Sequence, residues 1–230
     1  VSELSAELER HVAQYGWETS ELLLAALPGL PDPPVEILRR EDRFVVGAPG
    51  QKTLPLYVAG EQLASLKVSV ACRMDSVGRY MAVEESAFAL LAALDRTPVL
   101  RVHYYRSPRG KPSAHLHVHG HRGALSHLLS RAGHDTPHDI SSLHIPVGGS
   151  RFRPCLEDFL QFLVQECRFD SVPGWQQAVE DGRERWRCLQ VAAIVRDVPE
   201  EAARVLRELG YAVEPPDPVP AASAKALRTW

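Results

Sequence analysis

Sulfur is scarce in this 230-residue chain: Cys72, Cys155, Cys167 and Cys188 stand far apart, with no Cys-x-x-Cys pair. Neither a zinc knuckle nor a disulfide framework is indicated, and the four read as reduced, mostly core thiols. Long apolar runs are also lacking, and Val1-Ser2-Glu3-Leu4 has neither the basic start nor the apolar stretch of a secretory leader. The expectation is a soluble, cytoplasmic protein with no membrane partner. Val147-Gly148-Gly149-Ser150 has no Lys-Ser/Thr after it, and no Gly-x-Ser-x-Gly elbow exists, so P-loop and serine-hydrolase chemistry have no carrier. No internal repeat is visible. Carboxylates nearly vanish from one segment: between Arg101 and Arg153 only Asp135 and Asp139 face eight arginines and lysines. An anionic ligand fits that imbalance, with a nucleotide or RNA leading; a solvated basic face is the plain alternative.

What that segment has instead is histidine. Nine of the ten histidines fall between His103 and His144, and His115, His117, His119 and His121 alternate along one run. Imidazole is both the side chain that titrates near neutrality and a common metal ligand.

With 45% hydrophobic and 24% charged residues the chain can bury a sizeable core. Apolar spacing predicts helices over 3–15 and 20–27, then a Pro-rich break from Pro28 to Pro34. Strand pattern follows at 35–39 and 43–47, a hairpin around Glu41-Asp42, and at 54–59, 63–73 and 78–83. Residues 84–95 carry helical periodicity. Val99–Arg106 and Ala114–Arg122 read as two strands joined by a Pro- and Gly-containing loop. A polar stretch (124–140), a short edge strand at 143–147 and a basic turn at 148–153 come next. A helix then opens at Pro154 with Leu156, Phe159, Leu160, Leu163, Val164 and Cys167 on one stripe. Helices over 175–197 and 199–209 precede a tail from Glu214.

The fold class expected is α+β: a mainly antiparallel sheet with helices packed on one side and a helical C-terminal extension. Its organisation reads as N-terminal helices (1–30), a core with the His-rich hairpin (35–170), C-terminal helices (173–211) and a flexible tail (214–230).

Strand alternation assigns the hairpin's two faces. Leu100, Val102, Tyr104, Ala114, Leu116 and Val118 point to the core. Arg101, His103, Tyr105, His115, His117, His119 and His121 point together to the other side. Imidazoles two apart on a strand are about 6.6 Å apart at Cα, within reach of one ion. His103 with His115 and His117, or with His117 and His119, would supply three nitrogens to a divalent metal and leave a position open. The same residues also serve metal-free phosphoester chemistry. His117 and His119 would attack or move protons, His103 would partner them, and Arg101, Tyr105 and Arg122 would bind the substrate. A non-catalytic face for a protein partner, antitoxin-like or scaffolding, is a third reading. His11 is expected on a helix surface, His127, His134 and His138 on loops, and Trp17, Trp175 and Trp186 as core anchors.

The run Leu100-Arg101-Val102-His103 with Gly110-Lys111-Pro112-Ser113-Ala114-His115-Leu116-His117-Val118-His119 resembles the histidine-triad motif. That resemblance implies a nucleotide α-phosphate as target, His117 as nucleophile, and His115 and His119 as supporting members. The order of a Tyr-Tyr strand, a His-rich strand and the helix Pro154-Cys155-Leu156-Glu157-Asp158-Phe159-Leu160 is similar to TumE-like toxins of bacterial toxin–antitoxin pairs. This second likeness implies RNA- or nucleotide-directed activity restrained by a partner protein.

Overall fold

In the computed structural model the residues described are all but 1, 2, 42, 76, 77, 79, 95, 96, 109, 121, 122, 132–134, 148–150, 229 and 230. The fold is α+β. Its strands are β1 (Glu36–Arg40), β2 (Arg43–Gly47), β3 (Leu54–Val58), β4 (Glu61–Met74), β5 (Met81–Ala92), β6 (Pro98–Tyr105), β7 (Ala114–Val118) and β8 (Ile145–Pro146). They form one antiparallel sheet in the order β1-β2-β4-β5-β6-β7-β8. β3 shares an edge of the long β4 with β2, pairing Leu54 with Leu66 while β2 pairs Phe44 with Cys72. The helices are α1 (Glu3–Ala26), α2 (Gly123–Arg131), α3 (Leu156–Gln161), α4 (Trp175–Asp197), α5 (Pro199–Glu208) and α6 (Ala224–Arg228).

One face of the sheet carries the core. Val46, Val68, Val70, Phe88 and Val102 meet Leu8, Val12 and Leu23 of α1, Phe159 and Leu160 of α3, and Trp175 and Val179 of α4. The other face is laid out by register. Glu36, Gly47, Ser69, Ala87, His103 and His115 form one row across it, and Arg40 stands opposite Arg43 near its far corner. Among the described residues no helix is long and apolar enough to cross a membrane.

Several expectations need correction. Residues 84–92 form most of β5 rather than a helix, and residue 95 of the expected helix lies outside the described residues. Alanine and glutamate favour helix in isolation, but this segment pairs with β4 on one side and β6 on the other, and ladder formation on both edges outweighs propensity. The two N-terminal helices are one, because Gly16 does not break α1: it lets α1 approach β1, where an added Cβ would meet Ile37 Cδ1 at 2.9 Å. Thr19 bonds back to the Tyr15 carbonyl within the same helix. Residues 123–131 are helical, so His127 sits exposed on α2 and not on a loop. The helix expected from Pro154 begins at Leu156 behind Cys155, and the tail contains α6. Trp17 is 60% exposed and anchors nothing, whereas Trp175 is buried and Trp186 half-buried.

The basic segment does not form one face either. Arg153 lies buried on the inner side with its guanidinium 3.8 Å from the Tyr104 ring, and Arg151 pairs with Asp197 at 2.8 Å. His134, Arg109 and residues 148–150 of the expected turn lie outside the described residues.

Candidate metal centre

The β6–β7 ladder sets His103 opposite His115 and Arg101 opposite His117. Three imidazoles therefore converge, with ring centroids 5.8 Å apart for His103–His115, 5.4 Å for His103–His117 and 5.0 Å for His115–His117. Each offers one ring nitrogen, and these three atoms lie within 4.8 Å of one another. Nitrogens around one ion at metal–nitrogen bonds of ~2.0–2.1 Å sit roughly 3.3 Å apart, so ring movements on the order of an ångström close the cluster on a cation.

Tautomers follow from the backbone. His115 Nδ1 lies 2.9 Å from the Pro112 carbonyl and His117 Nδ1 2.5 Å from that of Ser141. A carbonyl only accepts, so Nδ1 carries the hydrogen in both rings and donates it. The lone pair is left on Nε2. This is how metal-binding histidines are held, with a carbonyl in the role a carboxylate often plays. Asp139 enters one layer out: its Oδ1 accepts from the Ser141 backbone N–H at 2.9 Å and from the Ser141 hydroxyl at 2.5 Å. Those bonds hold the Asp139 carboxyl below the ordinary carboxylate range.

His115 is fully buried, and its Nε2 has no hydrogen-bond partner among the described residues. An orphaned lone pair in that setting calls for an occupant. The charge state suits a cation. Burial, reinforced by Arg101 and the other imidazoles, pulls His103 down to about 3, and burial pulls His115 down to about 4. His117 and His144 are lowered by burial as well. The cluster is neutral at pH 7, the form that ligates.

Around the three rings stand groups suited to an anion. The Arg101 Nε is buried without a hydrogen-bond partner among the described residues. Tyr105 stacks on His115 at 5.9 Å and has Lys111 Nζ 3.8 Å from its ring centre. Burial, with Glu85 beside it, raises the Tyr105 hydroxyl.

Of the residues expected from sequence, His103, His115, His117, Arg101 and Tyr105 are brought together. His119 is not in the triad: it lies just past the end of β7, donates its backbone N–H to Val99, and leaves its own Nε2 buried and unpartnered among the described residues. Arg122 and His121 lie outside the described residues. His144 was missed. It sits one residue before β8, with its ring 4.8 Å from His115 and 4.9 Å from His117. Its membership in the histidine-dense segment was the available signal; the pairing of β8 with β7 that delivers it was expected only as an edge strand. Lys111, part of the run that resembles the histidine-triad motif, joins through the loop that returns to β7. No protein-family model matches the chain, and no curated protein or solved structure matches it.

Proposed function

We propose that His103, His115 and His117 hold a divalent transition metal, zinc being the best suited to three imidazoles, and that the site hydrolyses phosphoesters. What carries the reading is the pair of Nδ1–H donations to Pro112 and Ser141, which fixes two Nε2 lone pairs beside a third imidazole. When bound, such an ion supplies Lewis acidity and a water acidic enough to be deprotonated near neutrality. The chain's own residues supply the rest. Arg101 and Lys111 receive the negative charge of the ester and of the charge that develops on its oxygens. His144, neutral and outside the triad, takes the proton of the attacking water. The water oxygen bonds to phosphorus, the ester P–O bond breaks, and the departing oxygen is protonated by the imidazolium of His144. The substrate is anionic because the nearby carboxylates are engaged, Asp139 with Ser141 and Glu85 with Tyr105.

A metal-free variant of the same chemistry has one observation in its favour. The Nε2 of His117, freed by the bond to Ser141 and standing opposite Arg101, is also the atom that would attack a phosphorus directly, as the histidine-triad resemblance implies. Elemental analysis and chelation separate the two. The expected result is a divalent metal that copurifies stoichiometrically, is lost in His115→Ala, and is required for cleavage of bis(p-nitrophenyl) phosphate. Cleavage that survives exhaustive chelation and loss of metal, but not His117→Ala, overturns the metal reading in favour of the direct attack.

A further inference from the structure

Far from the histidines, the same solvent-facing side of the sheet holds a second concentration of charge. A groove of about 610 Å³ at the β1–β2 corner is lined by Arg40, Arg43 and Arg73 with Glu41 and Glu84, and at its rim by Arg39, which lies over Phe44 on the core side and pairs with Glu9 of α1 at 2.9 Å. Two of its arginines are placed at a cost: Arg40 and Arg43 are directly opposed in the β1–β2 ladder, and like charges in that position repel. Neither makes an ion pair among the described residues, and both are exposed. The guanidinium of Arg73 is held by Glu84 at 2.8 Å, and Arg106, just beyond β6, approaches the same carboxylate at 3.9 Å.

The position of the groove is fixed by register. Arg43 and Arg73 alternate with the core residues Phe44 and Cys72, and His103 alternates with Val102, so both clusters project from one face. His103 lies two strands from β4, level with Ser69, and Arg73 is four residues further along. At ~4.8 Å between strands and ~3.4 Å per residue the two sites are roughly 17 Å apart. Between them the face presents the short side chains of Ser69, Ala71 and Ala87 together with Glu85, which stands opposite Ala71 and Tyr105 and whose carboxylate is engaged by the Tyr105 hydroxyl. Arg106 stands on the way.

We infer that this face binds a single-stranded nucleic acid, with phosphates of the strand seated between Arg40, Arg43 and Arg73 while another phosphodiester of the same strand reaches the histidine site. A phosphate satisfies the opposed pair best, since guanidinium forks match its oxygens two at a time and one compact anion can sit between both. A polymer is required because a single nucleotide does not span the separation. Chemistry at the far end that acts on phosphoesters favours a polyphosphodiester over an acidic peptide. This inference names the substrate of the hydrolase proposed above and rests on it for that choice.

The test reads binding and turnover separately. Fluorescence anisotropy in the presence of a chelator compares a labelled oligouridine of about 12 nucleotides with uridine monophosphate, for the wild type and for Arg40→Gln/Arg43→Gln. The expected result is at least tenfold tighter binding of the oligomer by the wild type, a tenfold or greater loss in the double variant, and a log–log salt slope shallower by about 1.4. Cleavage of bis(p-nitrophenyl) phosphate by the metal-loaded double variant stays at the wild-type rate. Arg40→Glu, which turns the opposed pair into an attractive one, is expected to raise the melting temperature while weakening the oligomer. Equal affinity for oligomer and monomer, or an unchanged double variant, overturns the inference even where the small ester is cleaved. Oligomer binding that behaves as stated without any ester cleavage supports it and overturns the hydrolase reading instead. Competition by polyglutamate or phosphatidylserine vesicles as effective as by unlabelled oligouridine also overturns it, assigning the groove to an acidic peptide or a membrane.

Discussion

The two faces of the β6–β7 hairpin come from one alternating pattern and differ in what their burial costs. On the inner face Val102, Tyr104 and Ala114 join a core with Phe88, Leu160 and Leu163, where each apolar side chain removed from water contributes roughly 25 cal/mol per Å². On the outer face His115 and His117 are buried as deeply, yet their rings lose hydration and recover only one carbonyl bond each. The inner face pays for the fold; the outer face stores an unsatisfied nitrogen. Stability alone does not account for that second arrangement, whereas a ligand for the nitrogens does.

That contrast breaks most visibly through a pair of substitutions. Leu160→Ala, at a fully buried position of the inner core, is expected to cost about 2–5 kcal/mol in denaturant unfolding. Its remaining folded molecules keep the wild-type metal content. His115→Phe is the opposite case: it discards the orphaned Nε2 along with the bond to Pro112, so the metal-free variant stays within about 1 kcal/mol of the wild type. The stabilisation that added zinc gives the wild type disappears. Unfolding of His115→Phe, or loss of metal in Leu160→Ala, would mean that the two faces are not energetically separate.

Acid sharpens the same comparison, because of the hairpin's two faces only the outer one carries imidazoles. His103 and His115 are pulled from an ordinary value of about 6.5 to about 3 and about 4 in the folded chain, chiefly by burial. Between those values the unfolded chain binds protons that the folded one refuses, so stability rises with pH there. Their contribution is complete above pH 6.5 and is lost as the pH falls. Melting temperatures of chelated protein are expected to drop from pH 7.5 to pH 5.5, and to drop less in a His103→Gln/His115→Phe variant. Identical pH profiles for the two proteins would contradict the neutral, buried cluster.

Much of the site is legible in the sequence. Alternation alone placed Arg101, His103, Tyr105, His115 and His117 on one side, because a strand's period of two leaves no freedom once Val102 and Leu116 are assigned to the core. The helices at 175–197 and 199–208 were legible from apolar spacing and the Pro199-Glu200-Glu201 start. What stayed hidden depends on contacts distant in sequence. β5 was misread since its alanines and glutamates favour helix, and only its two neighbours in the sheet hold it extended. His144 and the carbonyl of Ser141 reach the site through a return of the chain that no local pattern encodes. The carbonyls of Pro112 and Ser141 that orient His115 and His117 have no signature in the sequence, because every residue carries one.

Asp139 gives the finest probe of that support. It touches no imidazole of the triad; it accepts from Ser141, whose carbonyl in turn receives the His117 Nδ1–H. Asp139→Asn keeps the size and one acceptor oxygen but removes the charge that tightens both bonds, leaving the Ser141 carbonyl less firmly placed. Outer partners of metal-binding histidines are typically worth 10–100-fold in affinity. A residue one step further removed is expected at the low end, about tenfold weaker zinc binding by competition with a chromophoric chelator. Asp139→Ala should be weaker again, with the folded stability of the metal-free protein nearly unchanged because the Asp139 side chain is at the surface. If both variants bind zinc as tightly as the wild type, the Ser141 carbonyl is held by the chain around it, and the outer face owes its geometry to backbone pairing alone.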